Sequence, residues 1–372
     1  MIGFSEGFHD AAVAVVNDGK ICYATHSERY SKIKHDKHLD ITAASTAQLI
    51  CQDGEIAFYE RPWLKRTRQF FAGQKAWRRP RHLSLKPTRY YSHHKSHAAA
   101  AFQTSPFEEA ACVVVDSIGE WDTASIWTAE YKDYGEAVYK KRWSQWYPQS
   151  IGLWYSALTK WAGLRPLDEE YIFMGMAAYG NPVHMNVVER QLHQYNHKGA
   201  RIGDYDKCDI AKSAERILQL ELNNIFERAS IYSKNICYGG GVALNCVVNT
   251  GLREMYNMWI MPCPGDAGGA LGAACLTYGG KVDFSPYLGY NIQKFCDPRR
   301  VVDALLEKRV VGVANGRAEF GPRALGNRSL LADPRQAETK DLVNKIKKRD
   351  LFRPFAPAIL EEHCQDYFDM PK

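Results

Sequence analysis

Two short apolar runs, each folding back through a tight turn, set the limits on what this chain can become. The first covers residues 11–16, small and β-branched; Asn17-Asp18-Gly19-Lys20 follows, and residues 21–24 return. The second covers residues 110–115 with Asp116 at its end; residues 117–122 turn the chain, and residues 123–129 return. Asp-Gly between apolar runs is a hairpin signal, because both residues tolerate the positive φ that a two-residue turn demands. Helical spacing follows the second hairpin, at Ile151, Trp154, Tyr155 and Leu158 and again at Leu218, Leu222 and Ile225. Residues 235–238 read as a strand entering Gly239-Gly240-Gly241, residues 267–276 as an alanine-rich, tightly packed helix, and residues 310–314 as a last buried strand. The chain is therefore read as α/β in two halves, each with Asp and Gly at strand ends, where α/β folds place ligands. Pro286, Gly289 and Pro298 punctuate a boundary near residues 290–300, giving expected domains 1–295 and 300–372.

Composition narrows the class. A chain of 372 residues suits two or three packed domains, and 45% hydrophobic with 24% charged residues excludes a disordered or fibrous protein. No uncharged apolar run approaches the ~20 residues that span a bilayer, so no membrane partner is expected. The first ten residues lack a basic start and an apolar core, so no signal peptide is expected. The ten cysteines form no Cys-x-x-Cys pair and read as reduced thiols, which implies a cytoplasmic protein. The net charge of +6 hides an asymmetry: Arg61 to Arg89 holds ten Lys or Arg and no acid, so the remainder is acidic. Trp63, Phe70, Phe71 and Trp77 interleave these charges. Such a stretch reads either as a polyanion track with aromatic platforms or as an amphipathic helix pair whose aromatics face the core.

Several motifs carry chemistry. His93 and His97 are four apart, so on a helix their imidazoles share one face, a workable spacing for two metal ligands. Asp116 closes an apolar strand, and Asp266 lies in Pro264-Gly265-Asp266-Ala267-Gly268-Gly269; buried carboxylates need a cation or hydrogen-bond donors. Two imidazoles and two carboxylates suit a divalent first-row metal, iron or zinc rather than calcium. Gly239 to Asn245 follows a strand and lets backbone lie against a planar or phosphorylated ligand, yet it is neither a Walker loop nor a Gly-x-Gly-x-x-Gly pattern. Arg317, Arg323 and Arg328 sit among rigid glycines and a proline, and arginine forks match phosphate and carboxylate geometry.

With Phe8-His9-Asp10, residues 28–36, His93 to Ala98, residues 105–110, residues 115–123, residues 174–180, Gly239 to Asn245, residues 265–272, residues 316–335 and residues 352–357, the chain resembles the nodulation/cephamycin/tobramycin family of O-carbamoyltransferases. The resemblance implies an actin-like ATPase domain (a duplicated ribonuclease H-like fold), followed by the start of a YrdC-like domain. It implies joining of carbamoyl phosphate to ATP as carbamoyl-adenylate, and passage of the carbamoyl group to an acceptor hydroxyl. It implies His93, His97, Asp116 and Asp266 as ligands of a metal, Fe2+ by preference. His9 would stand by the carbamoyl carbonyl with Asp10 and Lys34; Gly119, Gly239, Gly240, Gly241, Asn245 and Gly268 would hold the nucleotide. Arg317, Arg323 and Arg328 would face carbamoyl phosphate. Family members usually carry Ser where Ala11 stands and Lys where Ile172 stands, and they continue well beyond Lys372. The expectation is therefore a truncated or split gene product, a carbamoyltransferase whose remaining C-terminal domain comes from a partner chain, or a catalytically incomplete nucleotide-binding subunit; a homodimer also fits. The acceptor is expected to be a small molecule or, given the basic stretch, hydroxymethylated cytosine in viral DNA, which would place the protein in host cytoplasm.

Overall fold

The structure, a computed structural model, describes residues 1–73, 84–293 and 297–369. Its first sheet contains β1 (Ile2–Ser5), β2 (Ala12–Asn17), β3 (Lys20–His26), β4 (Ile56–Phe58) and β5 (Arg89–Tyr90), in the order β3-β2-β1-β4-β5. Its second contains β6 (Glu109–Gly119), β7 (Asp122–Tyr131), β8 (Ala137–Trp146), β9 (Asn235–Gly239) and β10 (Asn257–Ile260), in the order β8-β7-β6-β9-β10. The two orders are the same arrangement. In each, three strands run antiparallel as a meander and two more add in parallel to the first strand. This is the duplicated ribonuclease H-like pattern of an actin-like fold. The β2–β3 hairpin turns at Asp18 and Gly19, both at positive φ, as the Asn-Asp-Gly-Lys signal predicts.

Two helices of small residues lie between the sheets. Asp266–Tyr278 packs on the first sheet through Ala267, Ala270, Leu271 and Ala274. His93–Gln103 packs on the second through Ala98, Ala101 and Phe102. They approach so closely that a Cβ on Gly272 would collide with the Ser96 carbonyl oxygen. The helix Ile41–Ile50 covers the outer face of the first sheet, and the helices Ile151–Trp161 and Lys207–Ser230 cover that of the second, where Trp154, Leu158, Leu218, Leu222 and Phe226 form the largest core.

Beyond these halves, β11 (Tyr287–Ile292) pairs with β13 (Gly316–Glu319), and β12 (Val310–Ala314) pairs with β14 (Arg328–Ala332). Phe320 plugs into the core beside β2, and the Gly321 amide donates to His26 Nε2 at 3.0 Å. The helix Pro62–Phe71 corrects one expectation. Its aromatics do not face the core: Trp63, Phe70 and Phe71 are 52%, 76% and 72% exposed, while Lys65 and Arg68 are only 4% and 5% exposed. The charges turn inward because partners wait there, Glu60 for Lys65 and the Tyr147 ring for Arg68. Lys75, Trp77, Arg78, Arg79 and Arg81 of the same basic stretch lie outside the described residues.

Candidate metal centre

The carboxyl ends of the parallel strands β1, β4, β6 and β9 converge, and both central helices begin there. From β6 comes Asp116, from successive turns at the start of one helix His93 and His97, and from the start of the other Asp266. All four are buried, and their ligand atoms lie within 4.8 Å of one another. His93 Nε2 is 3.0 Å from Asp116 Oδ2, 3.4 Å from Asp266 Oδ1 and 3.1 Å from His97 Nε2. His97 Nε2 is 3.4 Å from Asp116 Oδ2 and 3.5 Å from Asp266 Oδ1. Donors bound tetrahedrally to one cation at ~2.1 Å stand about 3.4 Å apart, so these four fit a divalent metal. The charges fit as well. With the histidines neutral, as ligands of a cation are, buried Asp116, Asp266 and Glu60 face one buried ammonium among the described residues, Lys65, so the pocket calls for further positive charge.

The imidazoles respond to that negative charge. Burial works against the charged form of His93, yet the carboxylates of Asp266 and Asp116 hold its pKa well above the ordinary imidazole value. Burial likewise opposes charge on Asp116 and Asp266, and the two histidines override it, holding both carboxyls below the usual range. His94, on the far side of the same helix turn, behaves oppositely. Burial and then the charge on His93 push its pKa well down, and its Nδ1 lies 2.7 Å from Ser125 Oγ.

His9 reaches this cluster from the loop after β1. Its Nε2 is 3.7 Å from Asp266 Oδ2, and its Nδ1 is 2.8 Å from Asp10 Oδ2. Burial lowers its pKa, but Asp266 and Asp10 outweigh that and push it up to about 9. Asp10 continues into a chain of contacts: its Oδ1 is 2.8 Å from His35 Nδ1, and His35 Nε2 is 2.9 Å from Asp168 Oδ1. Asp10 and His35 both hold positive φ, 52° and 54°, a strained backbone for residues with a Cβ. The side-chain hydrogen bond between them offsets that strain. Lys34 is half-exposed and pairs with Asp168 rather than with His9.

The glycines are placed for close approach. Gly240, at φ 90°, leaves no room for a Cβ against the Val115 carbonyl, and the Gly241 amide donates to Asp116 Oδ1 at 3.3 Å. Gly119 packs on the His93 ring and Gly268 on the Cys263 carbonyl. Asn245 caps the helix Cys246–Met255, its Oδ1 accepting from the Val248 amide at 3.2 Å. The three arginines part company. Arg317 donates to the Cys22 and Leu288 carbonyls, at 2.6 and 2.7 Å, and Arg328 to those of Asn315, Asn327, Tyr290 and Gly316. Arg323 is exposed and donates to the Leu244 carbonyl at 3.3 Å, at the edge of the glycine loop. Three residues at the site escaped sequence reasoning: Glu60, His35 and Asp168. Glu60 follows a three-residue strand too short to show alternation, and Asp168 meets His35 only through the fold.

Residues 72–207 and 185–275 match a family model described as carbamoyltransferase N-terminus, and residues 302–372 match carbamoyltransferase C-terminus. An uncharacterized protein of Synechocystis sp. is 31% identical over 100% of this chain and 77% of its own length. Nodulation protein NolNO of Sinorhizobium fredii is 28% identical over 98% of this chain and 64% of its own length. Among solved structures, the (R)-2-hydroxyglutaryl-CoA dehydratase component A of Acidaminococcus fermentans aligns with a TM-score of 0.44 at 15% identity, covering 75% of this chain and 97% of that one. No helix among the described residues is long and apolar enough to cross a membrane.

Proposed function

Because this chain belongs to the carbamoyltransferase family, we propose that it moves a carbamoyl group from carbamoyl phosphate, by way of an ATP-derived carbamoyl-adenylate, to an acceptor hydroxyl. The observation that carries this reading is the junction of His9 with the four-donor cluster, Nε2 standing 3.7 Å from Asp266 Oδ2. In the transfer step the acceptor oxygen bonds to the carbamoyl carbon, the bond from that carbon to the adenylate oxygen breaks, and AMP leaves. His9, neutral once a cation offsets the Asp266 charge that raises its pKa, would take the hydroxyl proton at Nε2, while Asp10 at Nδ1 fixes the ring and favours the charged form that results. His93, His97, Asp116 and Asp266 would hold a divalent metal, Fe2+ by preference, which when bound polarises a carbonyl as a Lewis acid. Gly239, Gly240, Gly241 and Asn245 present backbone and amide groups to the adenosine. Arg323, exposed and joined at that loop only to the Leu244 carbonyl among the hydrogen bonds described, would turn to meet a phosphate there, whereas Arg317 and Arg328 stiffen the segment that carries it.

The acceptor in the first reading is a small hydroxylated molecule. A second reading, hydroxymethylated cytosine in DNA, is favoured by the outward-facing Trp63, Phe70 and Phe71 on a basic stretch, since exposed aromatics beside cations suit stacked bases. The test is transfer followed by mass spectrometry. The chain is given carbamoyl phosphate, ATP and ferrous iron with hydroxymethylated DNA or, separately, a panel of sugar alcohols and aminoglycosides. A carbamoyl increment on a nucleoside selects the second reading, and one confined to the small molecules selects the first. Absence of product even from supplied carbamoyl-adenylate would favour an incomplete subunit that needs a partner chain. His9→Gln should lower transfer by about 10²–10⁴-fold, the usual span for a lost general base. Unchanged turnover in that variant would remove His9 from the mechanism.

A further inference from the structure

We infer that Glu60, held by Lys65, is the positioning residue of the metal centre, accepting the Nδ1–H of His93 so that Nε2 faces the cation. The inference rests on the metal reading above. Glu60 leaves the end of β4 and is buried directly behind His93, with Oε2 3.6 Å from Nδ1. That Nδ1 is itself buried and has no hydrogen-bond partner. An orphaned imidazole nitrogen in a dry pocket is costly, and the only carboxylate facing it among the described residues is Glu60. A small swing of the ring closes the remaining gap. The other nitrogen, Nε2, lies on the cluster side, 3.0 Å from Asp116 Oδ2 and 3.1 Å from His97 Nε2.

Metal-bound histidines almost always donate their second nitrogen to a carboxylate or carbonyl, which sets the tautomer and ring angle. Glu60 is built to hold still for that purpose. Lys65 Nζ donates to both its oxygens, at 3.0 and 3.2 Å, and sits 4.2 Å from the centre of the Phe8 ring. Phe8 in turn lies tilted against His9, ring centres 4.7 Å apart. A lysine buried on a helix whose aromatics face solvent has no packing reason to be there. Its partner supplies one. Part of the basic stretch thus serves the metal site from beneath rather than a polyanion from outside.

The test is Co2+ titration of the full chain, read by the visible d–d absorption. Glu60→Gln should bind Co2+ about 10–100-fold more weakly than wild type and shift the absorption bands. Because that variant leaves Lys65 buried without its counter-charge, the double variant Glu60→Gln/Lys65→Met provides a second folded reference. It should show the same loss. Wild-type affinity and spectrum in both folded variants would overturn the role of Glu60 alone. Failure of the wild-type chain to bind Co2+ would overturn the metal reading, and this inference with it.

Discussion

At the scale of single residues, the contacts that join His9 to the surface decide how the site responds to pH. His35 stands between two carboxylates, Asp10 and Asp168, at 2.8 and 2.9 Å. Its hydrogen bond with Asp10 raises its pKa above the ordinary value, with burial pulling the other way. A group raised on folding stabilises most where the unfolded chain is also protonated, below about pH 6.5, and that contribution fades as pH climbs through the raised value. His35→Gln should therefore lose about 1 kcal/mol near pH 6, discounted for the partial exposure of the ring. The gap to wild type should narrow in mild alkali. Unfolding midpoints at pH 6 and pH 9 check this, and a gap of constant size would contradict it. The same contacts explain why Lys34 is better seen as a brace: it meets Asp168, which also receives Arg165 at 2.9 Å.

At the scale of elements, the ligand set depends on two helices touching backbone to backbone. Gly272 permits that contact, since a Cβ there would collide with the Ser96 carbonyl. Gly272→Val should force the helices apart and cost about 1–3 kcal/mol through overpacking. It should also weaken Co2+ binding, although six residues of helix, about 9 Å, separate it from Asp266. Unaltered Co2+ affinity with a lowered melting temperature would show that the helix contact and the ligand geometry are independent. The helix Asp266–Tyr278 and both hairpins were legible in the sequence, because an alanine-rich stretch and apolar runs folding back through a turn leave strong local signals. His93, His97, Asp116 and Asp266 stood out one by one as candidates, but spacing and strand-end position are weak signals singly, and it was the family resemblance that joined the four. What was not legible had no local signal. β4 and β5 are three and two residues long, so the strand that delivers Glu60 shows no alternation. The burial of Lys65 and Arg68 ran against the expected amphipathicity of their helix because an ion pair and a ring contact, not hydrophobicity, settle which face turns in.

At the scale of the whole molecule, the site draws on both copies of the strand pattern. His9 and Glu60 come from the first sheet and Asp266 from the helix packed on it; Asp116 comes from the second sheet and His93 and His97 from the helix packed on that. A cation there would tie the two halves together and offset the negative charge that Asp116, Asp266 and Glu60 present to neutral histidine ligands and one buried lysine. Anything that binds only the folded state stabilises it by RT ln(1 + [L]/Kd), about 2.7 kcal/mol at a hundredfold excess over Kd. The melting temperature should therefore rise on adding Co2+ or anaerobic Fe2+ and fall back on chelation. His97→Ala removes one of four donors without touching either sheet, so it should fold, abolish that rise and abolish transfer. Calorimetry with and without metal separates the cases. A metal-induced rise that survives in His97→Ala would place the cation elsewhere, whereas a rise lost together with transfer would tie the joining of the halves and the chemistry to the same four side chains.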